Sequence, residues 1–419
     1  MTTTADTRTE GPEPEPAPKS EAVPETEAVP EPEPAPKSEA VPETEAVPET
    51  APVPEDAPPR SRPLLVRVVA TAALAWMVFA LAHNLLTGNF WLWVIPGTLP
   101  PITFLAVPLL LLAAGVFLRG WRPLVLGRAA IALVVGLPWS GINLAALDGP
   151  DWSAGPGPTV RVVTLNTDYW AQNRDGIWTD RRDRGALFAY LRSLDADVYL
   201  LQEHMRRVDE TPVPITEVAD VREAFPEYEA VADGTLLTLS RLPVAGRDVV
   251  HSRDEPALAF PAPYGLRVDL AVGGEVVSTY NVHMPVQLMM EENPLTPDFY
   301  REIRERGQRR AEEYRALAEA VEDNPRPLLV AGDFNTSPAM GDNRALLDVT
   351  TDAVASTGLL HPTSWRVGGG VPRLWRNDWA LVAGGLGVRN YEFLDPRGNS
   401  DHTAQLLELT VPTAPEEDR

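Results

Sequence analysis

The sequence predicts an α/β domain carried behind a block of apolar helices and a long acidic tail. Three observations carry that prediction. From residue 159 to residue 412, short runs rich in leucine and β-branched residues alternate with helix-period stretches. Between residues 63 and 148 lie three windows apolar enough to cross a hydrocarbon core, which takes about 20 residues. Residues 1–62 hold 15 of the chain's 43 prolines and repeat the unit EPEPAPKSEAVPETEAVP in tandem from 13 to 48.

The tail comes first in the chain. Its only apolar residues past Met1 are alanine and valine, too little to bury against the entropy of ordering, and its alternating prolines favour a stiff, extended spacer. A solenoid repeat would carry a stacking apolar face, and this one has none. A binding motif within the tail is the alternative. The whole chain has 36 Lys+Arg against 59 Asp+Glu, a formal charge of −23, and no cysteine. Absence of cysteine excludes a thiol nucleophile, a disulfide framework and Cys-ligated metal. The negative charge argues against a general nucleic-acid coat, which works by displacing counterions from phosphates.

The second unit, 63–148, reads as membrane-embedded, with spans at about 64–86, 99–118 and 129–147. Only Arg67, His83 and Asn84 interrupt the first window, and the other two hold no charge. Trp91, Trp93 and Trp121 fall near the proposed ends, where indoles favour the headgroup region. Prolines at 96, 100, 101 and 108 blur the start of the second window, so two spans is the alternative count. Arg60, Arg62 and Arg67 flank the first window and Arg119, Arg122 and Arg128 surround the second connection, whereas the first connection (87–89) carries no Lys or Arg. Counting positive charge places the tail in the cytoplasm, and an odd number of spans places everything after residue 147 outside.

A Gly/Pro linker, 149–158, leads into the third unit, 159–412, and residues 413–419 form a short acidic tail. Strands are expected at 160–166, 196–203, 235–240, 276–283, 327–335, 378–382 and 403–409, with helices at 184–194 and 298–321. The ends of these strands carry the chemistry. Asn166, Glu203, His283, Asp333 and Asn335 terminate four of them, Asp378 opens another, and Asp401-His402 precedes the last. Any one alone is readily a cap or turn residue. All of them together, at an edge where strand ends converge, describe a cleft built to handle phosphate and a hard cation. His204 follows Glu203 and is expected on the opposite face as a packing residue, and the arginines of 301–315, interleaved with glutamates, are expected on a solvated helix face.

The ordered series TLN, LQE, NVHMP, AGDFN, NDW and SDH, with LSRLP at 239–243, resembles the endonuclease/exonuclease/phosphatase superfamily, whose fold is that of deoxyribonuclease I. One departure is Asn377, which stands where the family usually has an apolar residue. The resemblance implies a four-layer α/β sandwich and a hydrolase acting on phosphoester bonds with Mg²⁺ or Mn²⁺. It implies metal binding by Asn166, Glu203 and Asp401. It implies catalytic roles for Asp333 as the base toward water, for Asn335 toward the phosphoryl oxygens, for His402 held by Asp378, and for His283 toward the leaving group. Hard carboxylate oxygens, a positioned base and a proton source are what attack on an anionic phosphodiester demands.

The sequence thus predicts a multi-pass membrane phosphoesterase whose catalytic domain is extracytoplasmic. Its expected partners are the lipid bilayer, through three helices, and a small or membrane-borne phosphoester. No obligate protein partner is implied. An extracytoplasmic nuclease acting on DNA or RNA is the enzymatic alternative, and a catalytically silent tethered binding domain the non-enzymatic one. Residues 151–419 hold 27 Arg, no Lys and 43 Asp+Glu, which disfavours a long polyanion.

Overall fold

The computed structural model describes residues 63–149, 155–171, 173–174, 177–178, 184–208, 211–251, 264–288, 293–368 and 370–413. The repeat tail and the middle of the Gly/Pro linker, both expected as spacers, lie outside the described residues. Everything described belongs to one compact unit, Pro59–Arg419.

Helices α1 (Pro63–Leu86), α2 (Thr103–Val116) and α3 (Arg122–Gly136) pack on one another. Their contacts use small residues: Ala70, Ala73, Ala80, Ala129 and Ala132 are buried. At Gly136 an added Cβ would lie 2.9 Å from the Phe104 carbonyl. Such surfaces let helix axes approach closely where no aqueous hydrophobic drive helps them. The outward faces are also apolar, with Leu64, Val78, Leu85, Leu110 and Val134 exposed. An apolar stripe on one side only would mark a soluble domain's helix; these are apolar all round.

Among the described residues, two helices are long and apolar enough to cross a membrane, Leu64–Leu86 and Arg122–Trp139. The 14 residues of α2 span only about 21 Å, short of a hydrocarbon core of about 30 Å. The third expected window, 129–147, is corrected: the helix starts at Arg122, because Pro123 suits the first turn, where its missing N–H costs nothing. It gives way at Pro138 and at Gly141 (φ 71°), and the remainder forms short 3₁₀ turns. The first connection is also longer than 87–89, running to Ile102 through the turns Trp91–Trp93 and Val94–Gly97.

After the linker the chain lays down β1 (Thr159–Asn166), β2 (Val198–Gln202), β3 (Glu229–Asp233) and β4 (Leu236–Ser240). It crosses to a second sheet for β5 (Val244–Val250), β6 (Gly265–Val272), β7 (Glu275–His283), β8 (Leu328–Asp333), β9 (Thr351–Asp352) and β10 (Asp378–Ala383). It then returns to the first for β11 (Gly387–Leu394) and β12 (Ala404–Thr410). Among the described residues, each of these two sheets has six strands, in the orders β11-β12-β1-β2-β4-β3 and β9-β10-β8-β7-β6-β5. Pairs β1/β2 and β7/β8 are parallel, and the other neighbours are antiparallel.

Alternating side chains give each sheet two apolar faces. Val162, Leu200, Leu407, Val268, Leu329 and Ala380 meet between the sheets. On the outer face of the first sheet, Val163, Leu165 and Leu201 pack against α4 (Gly185–Leu194) and α5 (Ala219–Ala224) through Leu187, Leu191 and Val221. Outside the second sheet, Tyr280, Val282 and Val330 pack against α6 (Pro297–Glu322) through Tyr314, Leu317 and Val321. The result is an α/β sandwich of four layers. Strands β3, β5, β6, β9 and β11 are additional to those read from the sequence.

Candidate active site

Strand register decides which side chains meet. His283 pairs with Asp333 across β7/β8, Asp333 pairs with Asp378 across β8/β10, and Asn166 pairs with Gln202 across β1/β2. Glu203 is one residue beyond β2, so both sheets deliver their polar termini to one edge. Glycine at 332 is required there: its φ is 146°, and a Cβ would collide with the Val282 carbonyl.

Backbone strain accompanies this edge. Glu203 (φ 57°) and Asn335 (φ 47°) are left-handed, and so are four consecutive residues from Asp168 to Ala171, at φ 48–60°. A left-handed non-glycine residue costs about 1–2 kcal/mol. That turn aims the Tyr169 N–H at Glu203 Oε2, 2.8 Å away.

Asn166 Nδ2 donates to Glu203 Oε1 at 3.1 Å and to Asp333 Oδ2 at 2.9 Å. His283 Nε2 lies 3.8 Å from the same two oxygens. Asp333 Oδ1 accepts from the Asn335 N–H at 2.8 Å. Burial pushes the Glu203 carboxyl up from its ordinary value, opposed by His283, by the Asn166 amide and by the Tyr169 N–H. Two carboxylate oxygens thus converge on one amide and one imidazole in a buried site. Like charges so placed call for a cation, and a hard-oxygen donor set suits a hard divalent one.

His402 Nδ1 is 2.8 Å from Asp378 Oδ2, and its Nε2 lies 3.7 Å from Asp333 Oδ2 and 3.9 Å from Asp401 Oδ1. Burial works against both charges of the His402–Asp378 pair, raising the Asp378 carboxyl. For His402 the carboxylates of Asp378, Asp333 and Asp401 outweigh burial and hold its pKa well above the ordinary imidazole value, so the proton resides on the ring. Asp333, Asp378 and His402 each place one ligand atom within 4.8 Å of the others. Because His402 and Asp378 already satisfy each other, that trio is a hydrogen-bonded pair beside a carboxylate rather than a metal cage.

Seven of the eight residues singled out from the sequence are knit by these contacts. Asp401 stands at the rim, about one-third exposed, its Oδ2 accepting from Trp365 Nε1 at 2.9 Å. Asn335 Nδ2 donates to the Met284 carbonyl at 2.9 Å, which commits one of its two amide hydrogens to the loop after His283. His204 is buried edge-on against Trp170, ring centroids 4.6 Å apart, as a packing residue.

One expectation is corrected at Arg310. Instead of lying on the solvated face of α6 it is fully buried, and its guanidinium donates to the Pro285 carbonyl, the Asn335 carbonyl (3.2 Å), Thr336 Oγ1 and Asp342 Oδ2 (2.8 Å). Tyr314, one turn further on, donates to the Phe334 carbonyl at 2.8 Å. Together they clamp the loops that follow His283 and Asp333. The available signal was periodicity: 310, 314, 317 and 321 share one helix face with the apolar core residues.

Residues 165–402 match the Endonuclease/Exonuclease/phosphatase family, and the chain belongs to it. Members of that family are usually hydrolases acting on phosphoester bonds. Similar solved structures include an endonuclease/exonuclease/phosphatase from Bacteroides vulgatus (15% identity, 61% of this chain and 99% of that chain covered, TM-score 0.45). Another, from Beutenbergia cavernae, has 20% identity, 62% and 73% coverage and a TM-score of 0.44. The human Nocturnin catalytic domain with bound sulfate has 14% identity, 61% and 96% coverage and a TM-score of 0.42. No curated protein matches the chain.

Proposed function

We propose that this chain is a membrane-anchored phosphoesterase, dependent on a divalent metal, that hydrolyses a small or membrane-borne phosphoester. The convergence of Asp333 with Asn166, Glu203, His283 and the His402–Asp378 pair at one edge carries the reading.

In this reading Glu203 would hold the metal, Mg²⁺ or Mn²⁺, with Asp401 at the rim. Asn166, expected as a ligand, gives its Oδ1 to the Asp168 N–H at 3.0 Å and uses its Nδ2 to orient the Glu203 and Asp333 carboxylates. When bound, the cation neutralises charge on the phosphoryl oxygens and makes the phosphorus attackable. Asp333, fixed by the Asn335 N–H and the Asn166 amide, orients water and takes its proton. The remaining Asn335 amide hydrogen and the protonated His402 stabilise negative charge on the phosphoryl group. His283, beside both carboxylates, gives a proton to the departing alkoxide.

Support for a bilayer-side substrate comes from where the helices meet the domain. Trp375 Nε1 donates to the Thr98 carbonyl at 3.0 Å, and the Trp375 ring contacts Trp365, which holds Asp401. The same segment exposes Leu359, Leu360, Val367 and Val371. The catalytic edge and the first inter-helix connection are therefore neighbours. A domain held in this way meets lipid headgroups before it meets long soluble polymers.

The test is a substrate panel on the full chain in detergent micelles with Mg²⁺: phospholipids, inositol phosphates, nucleotide diesters, DNA and RNA. The expected result is cleavage of a small or lipid phosphoester, abolished by EDTA and restored by Mg²⁺ or Mn²⁺. Cleavage of DNA or RNA orders of magnitude faster than every small ester would replace this reading with a nuclease. Inertness toward the whole panel would favour a silent binding domain.

A further inference from the structure

A cavity of about 440 Å³ lies between the first inter-helix connection and α6, and none of the eight site residues lines it. Phe90 and Trp91 form its membrane-side wall, and Phe90 is exposed. The helix comes close to that wall at Gly307, where an added Cβ would sit in ordinary van der Waals contact with Trp91 Cβ, 3.9 Å away. Along α6, Arg304, Gln308, Ala311 and Arg315 recur at spacings of four, three and four, so they share one exposed face.

The arginines of α6 divide into two kinds. Arg301, Arg306 and Arg310 are paired with Asp298, Glu302 and Asp342. Three of them line the cavity: Arg310, already held by Asp342 in the same lining, and Arg304 and Arg315, which have no ion-pair partner among the described residues. The latter two are about 16 Å apart along the helix axis, at the two ends of the cavity's lining on this helix. Two unpaired guanidinium groups beside an aromatic wall make an anion site with an apolar side. That wall joins two apolar helices, and α1 ends beside it with Leu85 exposed to 70%.

We propose that this cavity binds the phosphate-bearing headgroup of an anionic membrane phospholipid, its acyl chains lying along α1. The inference rests on the membrane-anchored reading above. A free inorganic phosphate would use the arginines but leave Phe90 and Trp91 without a role. A lipid uses both: arginine forks match phosphate oxygens, and indoles favour the interface.

The experiment uses the full chain. Flotation with phosphatidylcholine vesicles reads membrane association alone, and wild type and R304Q/R315Q should float equally. Native mass spectrometry of the detergent-solubilised protein then compares retention of phosphatidylglycerol and phosphatidylcholine. Wild type should prefer phosphatidylglycerol, and R304Q/R315Q should bind it roughly 30-fold more weakly, the scale for two surface arginines. The variant R301Q/R306Q, which removes paired arginines instead, should behave as wild type. Inorganic phosphate at matched concentration should not displace the lipid. Equal retention of the two lipids by wild type, an unaffected double variant, or displacement by inorganic phosphate would each overturn the proposal while leaving the membrane reading intact. Failure to float at all would remove both.

Discussion

Replacing Arg310 with methionine is the most informative single change. Methionine keeps most of the stem volume but removes a guanidinium that donates to Pro285 O, Asn335 O, Thr336 Oγ1 and Asp342 Oδ2. Breaking one side of a buried ion pair costs about 3–5 kcal/mol, because the remaining charge and acceptors are left unpaired. Asp342 is partly exposed and can recover water, which places the expected loss toward the lower bound, about 3 kcal/mol. That is a large share of a typical 5–15 kcal/mol stability. Urea unfolding followed by near-ultraviolet circular dichroism should show it. A double variant, R310M/D342N, should lose less than the sum of the two single changes, since removing the orphaned carboxylate relieves part of the penalty. Arg310→Lys retains the charge without the planar fork, so it should fold. It should lower turnover by roughly 10- to 100-fold with little effect on KM, because the loops after His283 and Asp333 would lose their common anchor. An Arg310→Met protein within 0.5 kcal/mol of wild type, or an Arg310→Lys protein of unchanged turnover, would refute the clamp.

Asp333→Ala and Glu203→Ala should each reduce turnover by roughly 10²–10⁴-fold or more, with the far-ultraviolet spectrum preserved; a fully active Asp333→Ala protein would remove the assigned base. His204 has its pKa lowered to about 3, first by burial and then by Arg184, so it is neutral in the fold and protonates on unfolding below about pH 6.5. The unfolded chain then binds the extra proton, so stability falls as pH drops from about 6.5 toward 3, by at most about 4–5 kcal/mol from this residue; His204→Phe should flatten that slope in acid titrations of stability, and an unchanged slope would mean other groups set it. Protease added to spheroplasts should clip the C-terminal domain and spare the repeat tail; the reverse pattern would invert the expected topology.

Much of the site was legible because its residues sit at strand ends, and strand ends in a parallel or interleaved sheet are forced to one edge. Asn166, Glu203, His283 and Asp333 could be located from short β-branched runs followed by a polar residue. The Asp333–Asp378 pairing depends on register between β8 and β10, and the His402–Asp378 contact joins one sheet to the other; strand patterns encode neither, and the second was expected only through the family resemblance. Edge strands β5, β9 and β11 went unread because their outward faces are polar and half-exposed, which dilutes the apolar signal. Arg310 was hidden by composition: one buried arginine among several solvated ones has the same letter, and only its phase relative to Tyr314 and Leu317 distinguishes it. The third apolar window was misplaced for a simpler reason. Hydrophobicity continues past Gly136, and only Pro138 and Gly141 mark where the helix stops.

The pairing of β1 with β12 has a mechanical consequence. Thr159 faces Thr410, at the end of the first sheet opposite to Asn166 and the cleft. The helices, however, release the chain beside the cleft, where Asn143 Nδ2 grips the carbonyls of Val354, Thr357 and Leu359. The segment from residue 148 to residue 159 therefore has to join two points near opposite ends of β1. Its 11 steps can stretch to about 36–40 Å at most, and the length of β1 uses about 23 Å of that. The surplus is only about 15 Å, which bounds how far the start of the domain can stand from the end of the helices. Deleting five residues from it would use up that surplus and pull directly on the first strand, whereas adding ten would relax the bound.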